Sequence, residues 1–153
     1  MSTERLRSIA AQEARQVIQA FRDTLGSEGA LDNLVLWALK CAEALRQGGT
    51  IFFAGNGGSF ADAQHMAAEL TGKLGRDRVS LPGVALGTNG SSFSAIGNDF
   101  DFDQVFAREL QGLGKPHSIV IGFTTSGNSR NLVELVNTAN AMSLTSLCFT
   151  GSG

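Results

Sequence analysis

The sequence predicts an α/β fold in which a parallel β-sheet carries helices on both faces, a three-layer αβα sandwich preceded by two N-terminal helices. Three observations support this prediction. Short apolar runs recur after residue 50, a turn rich in Gly, Ser, Thr and Asn follows each of the first three, and each turn opens a helical stretch. This alternation is typical of βαβ units, whose strands lie parallel. We predict a single domain over residues 1–153.

Two amphipathic helices precede the first predicted strand. Apolar residues recur with a helical period over residues 6–25, before Gly26, and again over residues 31–45. One small sheet does not need two additional helices to cover it. Residues 1–48 are therefore candidates for a subunit interface.

The remaining elements follow from the change of period after residue 50. Right-handed crossovers should connect the strands. The last strand is followed by nothing, so the sheet is expected to be unfinished at its C-terminal end. The predicted strands cover residues 50–54, 83–86, 118–123 and 144–150, and the predicted helices cover about 60–74, 91–113 and 131–142.

Composition excludes several classes of protein. Lys and Arg number 12 against 14 Asp and Glu, a net charge of -2, which indicates neither a nucleic-acid surface nor a polybasic membrane anchor. No apolar run approaches the roughly 18 residues of a membrane span, and no secretory signal begins the chain. We expect a cytoplasmic protein in which Cys41 and Cys148 are buried free thiols.

Three polar turns should lie at the carboxyl ends of the parallel strands, where open sheets bind ligands. They are residues 55–59, 87–92 and 124–129. The third contains four hydroxyl side chains at a helix start, which suits a phosphate monoester held by neutral donors and backbone N–H groups. Helix N-capping is the alternative, although it uses one hydroxyl rather than four. The hydroxyl residues are Thr124, Thr125, Ser126 and Ser129.

Two common nucleotide-binding motifs are missing from the sequence. A P-loop requires Gly-Lys followed by Ser or Thr, which does not occur. The first polar turn begins like the dinucleotide fingerprint, but Phe60 stands where the third glycine should pack helix against strand.

His65 and Glu69 are spaced to share one face of the helix after the first turn. Such a pair can hold a divalent metal such as zinc, and the carboxylate can move protons. A surface ion pair or a core hydrogen bond is the alternative. Asn98 and Asp99 suit either a cap or the binding of sugar hydroxyls, whereas His117 is expected to be structural.

These motifs resemble those of sedoheptulose 7-phosphate isomerases (phosphoheptose isomerases), in the sugar isomerase (SIS) domain superfamily. The Thr-Ser-Gly-Asn-Ser motif is typical of SIS domains in general. The His/Glu helix and the Gly-Asn-Asp-Phe segment narrow the resemblance to the phosphoheptose isomerases. It covers nearly the whole chain and rests on residues 55–59, 62–70, 95–100 and 125–129.

The resemblance implies a flavodoxin-like SIS domain and a homotetramer with the N-terminal helices between subunits. It implies interconversion of sedoheptulose 7-phosphate and D-glycero-D-manno-heptose 7-phosphate through an enediol, the first step towards the heptose of lipopolysaccharide or other surface polysaccharides. Glu69 would be the base and, with His65, a zinc ligand. The residues implied to contact the sugar are Asn56, Gly57, Gly58, Glu69, Asn98 and Asp99, and those implied to hold the phosphate are Thr124, Thr125, Ser126 and Ser129.

The sequence departs from the family pattern mainly at its end. Thr124 and Lys73 replace a frequent Ser and Arg. The family continues with a strand and a helix whose Gln and His complete the metal site and supply a second acid–base. A chain that ends at Gly153 is therefore expected to bind zinc weakly and not to turn over substrate.

Two other functions compete with the isomerase. One is a non-catalytic SIS protein that binds sugar phosphates or associates with a replication initiator, and the other is a sugar-phosphate-sensing regulator. Relatives of the replication-associated type lack the glutamate at the position of Glu69. Regulators usually carry a DNA-binding segment, which is not visible here. The presence of Glu69 and the lack of a visible DNA-binding segment both favour the enzyme.

Overall fold

The computed structural model describes residues 2–151; Met1, Ser152 and Gly153, which the predicted domain includes, lie outside the described residues. The chain divides into two compact units, one up to Leu39 and one from Lys40 on. The helices are α1 Thr3–Gly26, α2 Ala30–Arg46, α3 Gly58–Thr71, α4 Gly90–Asp99, α5 Val105–Leu113 and α6 Arg130–Ala141. The strands are β1 Ile51–Gly55, β2 Gly83–Ala85, β3 Ile119–Thr124 and β4 Thr145–Thr150.

The first unit contains α1 and the beginning of α2. The Ser2 side chain caps α1 by accepting a hydrogen bond from the Arg5 backbone N–H at 3.3 Å. No described residue of α1 is buried, and the side chains of Val17, Phe21 and Leu25 are 56%, 67% and 61% exposed. The apolar stripe predicted from the sequence thus forms a helix whose apolar face is open to solvent in the single chain.

The second unit is built on a four-stranded sheet in the order β2-β1-β3-β4, with every pair of neighbours parallel. The chain passes from β1 outward to β2 and then returns past β1 to β3. The direction of winding therefore reverses between β1 and β3, which is where open parallel sheets form their binding crevice. The parallel sheet expected from the sequence is confirmed.

Helices cover this sheet on both faces, as the sequence predicts. Because alternate residues of a strand face opposite sides, Phe52 and Phe53 enter different layers. Phe52 packs into the core formed with α5 and α6, whereas Phe53 lies on the side of α3. The core beside Phe52 contains Ala54, Leu86, Val105, Phe106, Leu110, Val120, Leu132, Leu135 and Ala139.

The single helix predicted over residues 91–113 is wrong. Helix α4 ends at Asp99, a 3₁₀ turn spans Phe102–Gln104, and α5 begins at Val105. The Asp101 carboxylate starts the 3₁₀ turn by accepting the Asp103 backbone N–H at 3.2 Å. The other predicted elements are present, with ends shifted by no more than three residues.

The predicted burial of both cysteines is only partly correct. Cys41 is half-buried, and Cys148 is exposed on the outer strand β4. Partial burial raises the pKa of both thiols. Both therefore stay protonated at neutral pH and are poor nucleophiles. Within residues 2–151, no helix combines the length and the apolar character needed to cross a membrane.

Candidate functional site

Two of the predicted polar segments meet at the reversal of winding between β1 and β3. We call residues 55–59 the glycine turn and residues 124–129 the hydroxyl loop. Each begins at the carboxyl end of its strand, and the two strands pair with Gly55 opposite Phe123. The segments are also linked by side chains, because the carboxamides of Asn56 and Asn131 exchange two hydrogen bonds of 2.9 and 2.8 Å. The expected juxtaposition of these two segments is therefore observed.

A cavity of about 360 Å³ opens beside the glycine turn. Asn56 and Gly57, both predicted to contact a sugar, line it, and Gly87 brings the second polar turn to the same place. Phe93 forms an edge-to-face contact with Phe102 at 5.7 Å, so this part of the lining is an apolar aromatic pair. The full lining consists of Gly55, Asn56, Gly57, Phe60, Gly87, Phe93, Phe102 and Phe106.

The hydroxyl loop is folded by its own side chains. The Thr124 hydroxyl accepts the Gly127 N–H, and the Ser126 hydroxyl accepts the Asn128 N–H, both at 3.2 Å. Gly127 has a φ of +69°, a conformation that glycine adopts without steric cost. Each hydroxyl that accepts a backbone N–H keeps its own hydrogen for donation to an anion.

Ser129 is the N-cap residue of α6, yet its side chain makes no capping hydrogen bond. The first turn of α6 is joined to Ser129 only through its carbonyl oxygen, which accepts the N–H groups of Leu132 and Val133 at 3.0 Å. The capping alternative considered for this loop is therefore not observed. The Ser129 hydroxyl remains available at a helix N-terminus, where negative charge is stabilised.

The second polar turn is held from α5. The Glu109 carboxylate accepts a hydrogen bond from the Gly87 backbone N–H, and the Thr88 hydroxyl donates to the Ala85 carbonyl oxygen at 3.0 Å. A charged acceptor makes a strong bond to a backbone N–H. Glu109 thus fixes the part of this turn that lines the cavity.

His65 and Glu69 lie on one face of α3, as predicted. The His65 Nε2 and Glu69 Oε1 atoms are 3.4 Å apart, and the side chains are 73% and 27% exposed. The Arg78 guanidinium donates to the backbone carbonyl oxygens of Glu69 and Leu70, which stabilises the last turn of α3. The backbone that carries the Glu69 carboxylate is therefore well anchored.

The pair lies far along α3 from the glycine turn. Glu69 is eleven residues beyond Gly58, which corresponds to about 16 Å of helix at 1.5 Å per residue. Glu69 lines a different cavity, of about 380 Å³, together with Ile51 at the start of β1. The cavity beside the glycine turn lies at Gly55, the other end of β1. Within one chain, the structure does not bring Glu69 to the glycine turn.

Asn98 and Asp99 end α4 and are exposed. Asn98 donates to the Asp99 carboxylate at 2.8 Å, and Asp99 lines a cleft of about 470 Å³ that also contains Arg108 and Glu109. Their predicted contact with a sugar stays a prediction. His117 lies just before β3, on the edge of the sheet opposite to the hydroxyl loop, as expected.

The donor atoms at His65 and Glu69 suit zinc, but their number does not complete a site. A separation of 3.4 Å equals that of two neighbouring ligands on a tetrahedral zinc with bonds of about 2.1 Å. Among residues 2–151, however, no group of three or more His, Cys, Asp or Glu side chains is placed to hold a metal. A zinc ion here would require ligands from outside the described part of one chain.

Sequence reasoning missed Asn131 and Glu109. Asn131 occupies the buried stripe of α6 that continues through Leu135 and Ala139, and a polar residue in such a stripe is the signal that identifies it. Glu109 carries a similar but weaker signal beside the buried Leu110. Both residues contact backbone or side chains of the polar turns rather than the cavity beside the glycine turn itself.

Comparisons with known proteins agree with this geometry. Residues 6–151 match the SIS domain family. The chain is 44% identical over 110 residues to a phosphoheptose isomerase of Rhodospirillum rubrum, covering 72% of this chain and 58% of the relative. It is 40% identical over 142 residues to phosphoheptose isomerase 1 of Campylobacter jejuni, covering 93% and 73%.

A solved structure extends the similarity to the fold. The phosphoheptose isomerase of Neisseria gonorrhoeae superimposes with a TM-score of 0.88 at 36% identity, over 96% of this chain and 76% of that one. The chain spans 58% of the length of the Rhodospirillum rubrum relative and 73% of that of the Campylobacter jejuni relative.

Proposed function

The chain belongs to the SIS domain family and, within it, to the phosphoheptose isomerases, and from this premise we propose that it interconverts sedoheptulose 7-phosphate and D-glycero-D-manno-heptose 7-phosphate. The observation that carries the proposal is the meeting of the glycine turn and the hydroxyl loop, joined by Asn56 and Asn131. One segment suits a polyol and the other a phosphate. The product would enter the synthesis of nucleotide-activated heptose for lipopolysaccharide or another surface polysaccharide.

The reaction moves a carbonyl group from C2 to C1 of the sugar without net oxidation. A base removes a proton from C1, a cis-enediol forms, and a proton returns to C2 while the hydroxyl hydrogen passes from O1 to O2. We assign the base to Glu69, whose carboxylate is partly exposed on an anchored helix turn. Incubation of a protein that spans the full length of the phosphoheptose isomerase relatives with sedoheptulose 7-phosphate should produce the aldose in a ¹³C NMR spectrum, and its absence would contradict the assignment.

We assign the phosphate to the hydroxyl loop. Thr124, Thr125, Ser126 and Ser129 would donate to it, with the N-terminus of α6 adding partial positive charge. Asn56, Gly57 and Gly58 would contact the sugar from the glycine turn, which borders the cavity. Asn98 and Asp99 are proposed to contact the polyol chain, although they lie at the far end of α4.

Replacing Ser129 with alanine is expected to weaken the binding of inorganic phosphate about ten- to a hundredfold, the effect of losing one hydrogen bond to a charged group. The protein should keep its stability, because the Ser129 side chain makes no capping bond. Isothermal titration with phosphate measures the change. The matched control is Ser94→Ala, which removes a hydroxyl bound to the Ser91 carbonyl oxygen on α4. Equal phosphate affinity in the wild type and both variants would place the anion elsewhere.

Self-association as a homotetramer is the assembly that we propose. The apolar stripe of α1 is open to solvent in one chain, and such a surface requires a covering partner. The distance along α3 between the glycine turn and Glu69 provides independent support. Glu69 and the glycine turn can act on the same sugar only if the Glu69 of one copy approaches the glycine turn of another, which the proposed assembly would provide. We place this reaction in the cytoplasm, where sugar phosphates are made and used.

We propose zinc as the cofactor, with His65 and Glu69 as two of its ligands. A bound zinc ion would act as a Lewis acid that polarises a carbonyl oxygen. The remaining ligands must come from outside the described residues of one chain, since these hold no cluster of three. The assignments of base and phosphate site made above do not depend on zinc.

Replacing His65 with alanine is expected to lower zinc affinity at least tenfold, since even the loss of groups that support a ligand costs 10–100-fold. The measurement is competition with a chromophoric chelator, followed by metal analysis after dialysis. The matched control is His117→Ala, which removes the other of the two histidines in the sequence. Unchanged zinc retention in the His65 variant would show that zinc, if present, binds elsewhere.

A further inference from the structure

We propose that Asn131 is a positioning residue that orients the Asn56 carboxamide towards the sugar and holds the glycine turn at a set distance from the hydroxyl loop. This inference rests on the proposed function, because that function assigns Asn56 to the sugar and the hydroxyl loop to the phosphate. The pairing of the two carboxamides is observed directly and does not depend on the assignment.

The two carboxamides form a closed, reciprocal pair. Asn56 Nδ2 donates to Asn131 Oδ1 at 2.9 Å, and Asn131 Nδ2 donates to Asn56 Oδ1 at 2.8 Å. Exchanging the O and N atoms of only one of the two amides would place like atoms opposite each other, so each amide fixes the orientation of the other. The two residues are 75 positions apart in sequence. The pair is therefore a tertiary link and not a local turn.

The two partners differ in what they can reach. Asn131 is 2% exposed, whereas Asn56 is half-buried and lines the cavity beside the glycine turn. Each carboxamide has two N–H donors and two lone pairs, and the pair uses one of each. The second donor and lone pair of Asn56 are not used in the pair and remain for a ligand in the cavity that Asn56 lines. Asn131 acts on a ligand only through Asn56.

The location of the pair explains why it matters for binding. β1 and β3 pair from Ile51 opposite Ile119 to Gly55 opposite Phe123, and then the backbones diverge into the two segments. Asn56 is the first residue beyond that ladder, and Asn131 lies in the first turn of the helix that follows the hydroxyl loop. The amide pair continues the cross-link past the end of the ladder. A molecule with a phosphate at one end and hydroxyl groups at the other needs both segments in register.

This role makes a specific thermodynamic prediction for Asn56→Ala, Asn131→Ala and the double variant, with dissociation constants measured by titration calorimetry. Each single substitution should weaken sedoheptulose 7-phosphate binding about tenfold, and the double variant should lose little more than either single variant. Inorganic phosphate should bind within about threefold of wild type in all three, because it needs only the hydroxyl loop. The control is Asn137→Ala, which removes an exposed amide from α6.

Two outcomes would overturn the proposal. One is a double variant whose loss equals the product of the single losses, since the residues would then act independently. The other is an equal loss for inorganic phosphate and for the sugar phosphate in Asn131→Ala, which indicates a general disturbance of α6. Should Asn131→Ala fail to fold, Asn131→Ser keeps a polar group in the buried position and replaces it in the cycle.

A second readout separates this proposal from the proposed function. The side-chain N–H₂ signal of Asn56 in a ¹⁵N NMR spectrum should exchange slowly with solvent in the wild type and quickly in the Asn131 variant. If the wild type binds inorganic phosphate but no sugar phosphate, the proposed function fails, while slow exchange still supports the link. Fast exchange of the Asn56 amide in the wild type overturns the link whatever the protein binds.

Discussion

Replacing Glu69 with glutamine in a protein that spans the full length of the relatives is expected to lower kcat for sedoheptulose 7-phosphate about 10²–10⁴-fold, the usual contribution of a positioned general base. Glutamine has nearly the same volume but cannot take a proton from C1. The structure indicates that the fold should survive, because Arg78 binds the backbone carbonyl oxygen of Glu69 and not its carboxylate. Conversion to the aldose, followed by NMR at saturating substrate, measures the change.

The matched control for this variant is Glu43→Gln on α2. Glu43 is likewise paired with a basic residue one helical turn along its helix, with its carboxylate 3.5 Å from Arg46, and its side chain is more exposed than that of Glu69. Its loss should leave kcat unchanged within about twofold, since exposed ion pairs contribute little. A Glu69→Gln protein with near wild-type turnover would show that another group is the base.

The strands were predictable because of how parallel sheets are buried. Each face of β1 meets a helix layer, so residues 51–54 are all apolar and all buried. Such a run stands out in a sequence whose helices repeat apolar residues only every three or four positions. The outer strand β4 is mostly exposed, and its Thr145, Phe149 and Thr150 are of types that are enriched in strands.

The break between α4 and α5 could not be predicted from periodicity. Phe93 and Ile96 before the break pack against the same core as Val105 and Leu110 after it, so the apolar pattern continues across the 3₁₀ turn. Three acidic residues lie at the break, Asp99, Asp101 and Asp103, of which Asp101 caps the 3₁₀ turn. Tertiary packing therefore determined an end that the local pattern does not show.

The sequence predicted the individual segments of the candidate site better than the contacts between them. Spacing alone places His65 and Glu69 on one helix face, and the structure confirms this. Spacing does not say which side chains of other elements, or of other copies of the chain, approach that face. The link between Asn56 and Asn131 joins residues 75 positions apart, and no local pattern encodes such a contact. Its only trace is the asparagine in the buried stripe of α6.

The second large expected effect is a loss of stability on substitution of Gly55, which packs closely against the backbone of Ser59. A Cβ atom at Gly55 would lie 2.4 Å from the Ser59 carbonyl oxygen and 2.5 Å from its carbonyl carbon. These are backbone atoms in the first turn of α3, so they can move only if the start of the helix moves. Gly55→Ala is therefore expected to destabilise the protein by about 3 kcal/mol, at the upper end of the cost of overpacking. Urea unfolding followed by circular dichroism measures the loss.

Gly58→Ala is the matched control, because a Cβ at Gly58 meets nothing within 4 Å. It should stay within about 0.5 kcal/mol of wild-type stability, as exposed substitutions usually do. Folded Gly55→Ala protein should also bind sugar phosphate more weakly, because the shifted helix start carries Asn56 and Gly57 away from the cavity they line. Equal unfolding midpoints for the two variants would contradict the tight packing of β1 against α3. In that case any weaker binding of sugar phosphate by Gly55→Ala would come from contact between the new methyl group and the ligand. The change in the free energy of binding would then be larger than the change in the free energy of unfolding.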